Sequence, residues 1–185
     1  MHYALRLTIA SAALLAIGSA RAAAQTAPLI ADLLRDVSQV EEKMSKLAKA
    51  MPADKFDWRP GTGVRSFGEV VLHVAADNYL MPATVGVAAD AATGIKGDDY
   101  NTALAFEQRK LARDAAIAEM EKSFTHLKRA MEGTTSQRLG EKVTLFGQTF
   151  TVQQTWIMTA THLHEHLGQA IAYARTNGVK PPWSQ

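Results

Sequence analysis

The sequence predicts an all-α protein, a four-helix bundle with a short β-hairpin before the last helix. Three observations favour this fold class. Apolar residues recur at alternating steps of three and four in several segments, as on the buried face of a helix. Two segments begin with a capping box, which indicates a helix N-terminus. One short segment changes to the two-residue period of β-strands.

The first helix has such an apolar seam, and Pro52 ends it. The seam comprises Ile30, Leu33, Val37, Val40, Met44, Leu47 and Met51. In the loop of residues 54–61 that follows, the two aromatic residues Phe56 and Trp58 are expected to cover one end of the core.

The second helix begins at a capping box, in which Ser66 and Glu69 each satisfy a free backbone donor of the first turn. It is expected to run through His73 towards Pro82, which kinks or ends it. Residues 83–97 are small and include glycine, so they predict a fraying helix end and a loop.

A third, long helix is predicted from near Asn101 to a stop at Gly133. Its seam comprises Ile117, Met120, Phe124, Leu127 and Met131. Residues 143–151 then alternate around Phe146-Gly147, which predicts a small hairpin. A second capping box, Thr151 to Gln154, begins the last helix, and Asn177-Gly178 ends it.

The first 24 residues are predicted to be a secretory signal peptide. They contain Arg6, an apolar run over residues 7–17, and three alanines at 22–24 that fit an A-x-A cleavage site. The run is shorter than the about 20 residues of a membrane span. Cleavage is expected before Gln25, with a cut after Ala20 as the alternative. Residues 25–185 then form a single domain exported to a bacterial periplasm or beyond.

The charge of the chain argues against a nucleic-acid partner. Two of the 20 Lys and Arg residues, Arg6 and Arg21, lie in the predicted signal peptide, and none of the 18 Asp and Glu residues does. The predicted mature chain therefore carries 18 of each, whereas nucleic-acid-binding domains show a basic patch. The sequence has no cysteine, which excludes disulfides, thiolate nucleophiles and thiolate metal ligands.

Three histidines, His162, His164 and His166, alternate within residues 161–169. On a strand all three would share one face, as in some zinc sites. A helix is favoured because apolar residues keep steps of four and three across the segment: Trp156, Ala160, Leu163, Leu167, Ala170 and Ala174. On a helix, His162 and His166 lie one turn apart, with Cβ atoms about 5–6 Å from each other. This spacing suits one metal ion, whereas His164 points away towards solvent.

A third ligand would come from elsewhere, and His73 is the better of two candidates. It lies in the apolar run of residues 70–76, where an unpaired imidazole has no evident purpose. His126, the other candidate, lies among Lys122, Lys128 and Arg129, which indicate a solvated surface. A histidine within a helix is, however, more often a hydrogen-bonded core residue than a ligand. An isolated pair of histidines four residues apart is also weakly specific.

Two acids lie one turn from His73 on either side, Glu69 before it and Asp77 after it. Both are predicted to be surface acids, and the alternative is that one of them orients His73 as a carboxylate behind the ligand. Other motifs do not fit this segment. The zincin pattern H-E-x-x-H would need histidine where Gly168 stands, and the nucleophile elbow G-x-S-x-G is absent.

These residues together resemble the DinB-like (DinB/YfiT) superfamily of metalloenzymes. The matching pieces are residues 65–69 with His73, then Phe146-Gly147, and above all His162-x-x-x-His166-x-Gly168-Gln169 followed by Tyr173 and residues 177–182. The resemblance implies a four-helix bundle, often a homodimer, with a divalent metal held by three histidines. Carried over by position, the ligands are His73, His162 and His166.

One departure concerns the residues before Gly168-Gln169. Members of this family commonly show His-His-Arg there, and this chain has Glu165-His166-Leu167. The ligand triad is intact, but any substrate role of the arginine is absent.

The function expected from the resemblance is that of a metal-dependent hydrolase, in which the ion activates water for attack on a small-molecule substrate. One alternative is a transferase that uses the same site to activate a small thiol. Another is a non-enzymatic metal-binding or interaction protein of the cell envelope. The ligand set suits zinc, nickel or iron, and the sequence singles out no catalytic residue.

Overall fold

The computed structural model describes residues 27–184, and the predicted signal peptide lies outside them. This part of the chain contains five α-helices: α1 (Pro28–Ala50), α2 (Phe67–Thr84), α3 (Tyr100–Glu107), α4 (Arg113–Glu132) and α5 (Val152–Thr176). Strands β1 (Lys142–Leu145) and β2 (Gln148–Thr151) form an antiparallel hairpin directly before α5. The predicted fold class is confirmed, and both capping boxes begin helices as expected.

The four long helices enclose one core. Helix α2 packs against α4 and α5, α1 packs against the same two helices, and α3 lies against α2. Buried apolar side chains from all four long helices fill the centre, among them Val37, Met44, Leu47, Val70, Val74, Met120, Phe124, Leu127, Trp156 and Leu163. Between α1 and α2, the Phe56 ring packs on Phe67 and closes one end of this core, as predicted. Within residues 27–184, no helix combines the length and apolarity needed to cross a membrane.

The prediction of one continuous third helix from near Asn101 is wrong, because residues 108–112 separate α3 from α4. At the break, the Arg109 guanidinium lies 4.2 Å from the centre of the Phe106 ring. It also donates hydrogen bonds to the carbonyls of Ala92 and Thr93, at 3.0 and 2.8 Å. These contacts tie the end of α3 to the loop after α2, and α4 begins as a separate helix at Arg113.

The chain after α2 returns very close to the end of that helix. Pro82 does not end α2, which continues to Thr84. A Cβ atom on Gly97 would lie 2.4 Å from the carbonyl carbon and oxygen of Ala83, so glycine is required by the backbone approach. The Thr84 hydroxyl reaches the Gly97 carbonyl at 3.4 Å. Tyr100 begins α3 three residues after Gly97, with Asp99 as its N-cap.

We predict that Gly97→Ala destabilises the protein by about 1–3 kcal/mol, because backbone atoms of α2 have to move to admit the methyl group. Urea unfolding monitored by circular dichroism would measure the loss. Gly140→Ala is the matched control, since no atom lies within 4 Å of a Cβ built there. Its effect should stay within about 0.5 kcal/mol. Equal stability of the two variants would contradict the close approach.

Candidate metal centre

Three histidine side chains converge where α2 meets α5. The Nε2 atom of His162 lies 3.2 Å from Nε2 of His73 and 3.1 Å from Nε2 of His166. One ligand atom from each of the three residues lies within 4.8 Å of the others. Imidazole nitrogens that bind one tetrahedral zinc ion at about 2.0–2.1 Å are about 3.3 Å apart. The observed spacing therefore fits a single ion of this size.

The opposite ring nitrogens of two of these histidines face oxygen acceptors. Nδ1 of His73 lies 2.6 Å from Oε1 of Glu107, and Nδ1 of His166 lies 2.9 Å from Oε1 of Gln169. A carboxylate can only accept, so Nδ1 of His73 carries the proton and donates it, which leaves the lone pair on Nε2. The Gln169 amide in turn donates to the Tyr173 hydroxyl at 2.9 Å. Metal-binding histidines usually have such an oxygen acceptor on the ring nitrogen that does not bind the metal, which fixes the orientation of the ring.

Asp77 lies beside the converging nitrogens, and the prediction that it is a surface acid is wrong. It is only 5% exposed, and its Oδ2 atom lies 2.7 Å from Nε2 of His162 and 3.3 Å from Nε2 of His73. The burial of Asp77 follows from the packing of α2. Four residues after His73, Asp77 shares the face that turns towards α5, and α2 is buried on that face. Glu69, by contrast, lies at the start of α2, where its side chain is 35% exposed and accepts a hydrogen bond from Arg59.

The charges around the three histidines differ in their effects. Burial disfavours protonation of His162, but the hydrogen bond and charge of Asp77, with those of Glu165, outweigh burial and raise the pKa of His162. Burial lowers the pKa of His166 to about 4, and the nearby rings of His73 and His162 act in the same direction. His166 is therefore a neutral imidazole at pH 7, which is the protonation state a ligand needs.

Two residues of the site were missed by the sequence analysis, Glu107 and Arg65. Glu107, the last residue of α3, bonds His73 through one carboxylate oxygen. Its other oxygen accepts from Nε and Nη2 of Arg65 at 3.1 and 2.9 Å. Arg65 begins the segment of residues 65–69 that resembles the family, but no pattern in the sequence connects Arg65 with Glu107 or Glu107 with His73. Glu107 reaches the site because α3 ends where the predicted long helix would have continued.

The other two candidate histidines lie apart from this group. His164 has a half-exposed side chain, and its Nε2 atom lies 2.9 Å from Asp36 of α1. The prediction that it faces away from His162 and His166 is confirmed. His126 packs its ring against Tyr79, at 5.5 Å between centroids, and is not part of the group.

The sequence profile of the DinB superfamily matches residues 36–170, which include all three histidines. The chain belongs to the DinB superfamily. The resemblance predicted from the histidine segment is thus confirmed. No curated protein sequence matches this DinB superfamily member significantly.

Solved structures of DinB-like proteins share its fold. A DinB-like protein from Bacillus cereus is 16% identical, with a TM-score of 0.68, over 84% of this chain and 97% of that one. A DinB-like protein from Bacillus subtilis, also 16% identical, gives a TM-score of 0.62 over 83% and 97%. YfiT from Bacillus subtilis, 13% identical, gives a TM-score of 0.64 over 82% and 89%. YfiT is described as a probable metal-dependent hydrolase with an unusual four-helix bundle topology.

We predict that in chelator-treated protein the pKa of His162 lies above the ordinary histidine value and the pKa of His166 lies below it. His162 should hold its proton above pH 6.5, the ordinary value, and His166 should stay neutral until the pH approaches about 4. Histidine ring resonances in two-dimensional NMR would measure both. Because the folded pKa of His162 is raised, its contribution to stability is present below about pH 6.5 and is lost as the pH rises through that raised value.

Asp77→Asn removes the charge that favours the protonated ring, so the pKa of His162 should fall in this variant. An unchanged pKa would show that Asp77 does not contact His162 in solution. The distant Asp36→Asn change, which affects only the partner of His164, is the matched control.

Proposed function

We propose that this chain is a metal-dependent hydrolase that holds one divalent ion with His73, His162 and His166. One observation carries the proposal: Nε2 of His162 lies 3.2 and 3.1 Å from Nε2 of His73 and His166, and the Nδ1 atoms of His73 and His166 face oxygen acceptors. Nε2 of His162 faces the Asp77 carboxylate at 2.7 Å, so a divalent ion bound here would replace the proton that His162 donates to Asp77.

A divalent ion in such a site supplies Lewis acidity and lowers the pKa of a coordinated water to about 7. The chain contributes the groups around it. Asp77, beside two of the three nitrogens, is placed to accept a hydrogen bond from a water molecule and to orient it towards a substrate. The side chain of His162 is 27% exposed, so a small molecule can approach the site from that side.

Glu107 and Arg65 act behind the ligands rather than on the substrate. The side chain of Glu107 is 10% exposed, and it is held by Arg65 on one oxygen and by His73 on the other. This chain of hydrogen bonds fixes the ring of His73 and keeps its proton on Nδ1. We therefore assign Glu107 as a positioning residue.

The family supports a metal-dependent activity, since YfiT, which shares the fold, is described as a probable metal-dependent hydrolase. The predicted signal peptide supports action outside the cytoplasm, and export stays a prediction. The thiol-transfer alternative makes a different prediction, because it requires a thiol co-substrate for turnover.

We predict that the purified protein contains about one equivalent of divalent metal by elemental analysis and loses it in His73→Ala and His162→Ala. His164→Ala is the matched control, since that imidazole pairs with Asp36 and should leave the metal content unchanged. Absence of metal in the wild-type protein after reconstitution, or retention in His73→Ala, would contradict the triad. Metal-dependent cleavage of p-nitrophenyl acetate without added thiol would then favour hydrolysis over thiol transfer.

We further predict that Glu107→Gln weakens metal affinity by about 10- to 100-fold without unfolding the protein, because the ring of His73 loses its charged acceptor. Competition with a chromogenic chelator would measure the affinity, and thermal melting would check the fold. Glu42→Gln, an exposed exchange of the same type in α1, should leave the affinity unchanged. Equal affinities of the two variants would show that Glu107 does not position the ligand.

A further inference from the structure

A cavity of about 560 Å³ lies between the turn of the hairpin and the segment that leads into α3. Its volume is in the range of small-molecule pockets. The α2 residues in its lining are Leu80, Ala83 and Thr84. Leu80 follows Asp77 by three residues, so it lies on the same helix face one turn away, about 5 Å along the axis. The cavity therefore continues the face that carries His73 and Asp77.

Tyr100 connects this cavity to the histidines. Its side chain lines the cavity, and its residue is 38% exposed. Tyr100 and Glu107 are the first and last residues of α3, about two helical turns apart, so they lie on the same side of this helix. Because Glu107 bonds His73, this side of α3 leads from the cavity to the proposed metal centre.

Phe146 also lines the cavity, in an unusual conformation. Its φ of 53° and that of 72° at Gly147 form a two-residue hairpin turn with both central residues in the left-handed region. Asparagine is the favoured residue at the first of these positions, and a bulky side chain is strained there. The Phe146 ring is nevertheless 52% exposed and meets the Tyr100 ring edge to face, at 5.2 Å between centroids. Strain at an exposed aromatic residue is typical of a functional position.

The lining also limits the charge of a ligand. Its side chains are aromatic, aliphatic or polar, and the charged ones, Asp98 and Asp99, are acidic. The two carboxylates therefore disfavour an anion, and the rings of Tyr100 and Phe146 offer an apolar surface to a ligand.

We propose that this cavity binds an aromatic or apolar group of the substrate that carries no negative charge, against the rings of Tyr100 and Phe146, while the bond to be cleaved lies at the three histidines. The inference rests on the proposed function, because it places the reacting bond at that centre. It adds a substrate class: small molecules with an apolar group about one helical turn from the reacting carbonyl.

Hydroxamates of two lengths test this arrangement on the zinc-loaded protein. Acetohydroxamate offers only the metal-binding head, and 3-phenylpropionohydroxamate adds an aryl group on a short linker. Isothermal titration should show at least about tenfold tighter binding of the aryl compound, since a phenyl ring leaves water. The analogue with a carboxylate on the ring should lose that gain.

Phe146→Asn should bring the ratio of the two dissociation constants close to one. Asn-Gly is the preferred sequence for this turn, so the melting temperature should be unchanged or higher, which separates ligand binding from folding. Ile157→Ala removes an exposed apolar side chain of α5 outside the cavity and should keep the ratio of the wild-type protein. An equal ratio in wild type and Phe146→Asn would falsify the proposal.

A ligand without a metal-binding group distinguishes failure of the cavity from failure of the metal centre. Titration of 3-phenyl-1-propanol into the His73→Ala variant should shift the amide NMR resonances of Tyr100 and Thr144, and Phe146→Asn in the same background should abolish the shifts. If these shifts occur but no hydroxamate binds the zinc-loaded protein, the ligand site in the cavity is supported and the proposed function is rejected. Hydroxamate binding with no aryl gain and no such shifts would retain the metal centre and reject the cavity.

Discussion

Helix α2 is buried on nearly every side, and the structure depends on hydrogen-bond partners for the polar side chains that this helix carries. From Phe67 to Pro82, every residue of α2 except Glu69 is buried, yet the helix carries His73, Asp77 and Asn78. Buried polar groups without hydrogen bonds are costly, so each needs a partner from a neighbouring helix. Asn78 donates to Ser123 of α4, His73 bonds Glu107 of α3, and Asp77 meets His162 of α5. These contacts join α2 to three other helices and fix the site in the same step.

Two local departures from regular structure follow from this requirement. The chain is not helical between α3 and α4, and Glu107 at the end of α3 bonds His73 through its carboxylate. The approach of Gly97 to α2 brings Tyr100 to the same end of the bundle. The metal centre and the adjacent cavity thus share α2 as one wall, and α3 contributes a residue to each from its two ends.

The agreement between sequence and structure was best where the information is local. Capping boxes, apolar seams and the two-residue turn depend on neighbouring residues, and each lies in an element of the type that it predicted. Errors arose where packing decides. Asp77 lies on a helix with no clear polar face, because α2 is covered on all sides, so its burial could not be inferred from periodicity. Glu107 lies 34 residues from the histidine that it bonds, and no pattern connects them.

The sequence by itself determined α1, α2, α5 and the hairpin. It also determined the pairing of His162 with His166, because the helical repeat places residues four apart on one face. It also favoured His73 over His126, because an imidazole within an apolar run needs a partner. Only the tertiary structure decided which side chains surround these three rings. The crossing of α2 and α5 brings Nε2 atoms from distant segments to 3.2 Å, and the docking of α3 supplies Glu107. Distances between helices depend on the packing of the whole core, which is not encoded in any single segment.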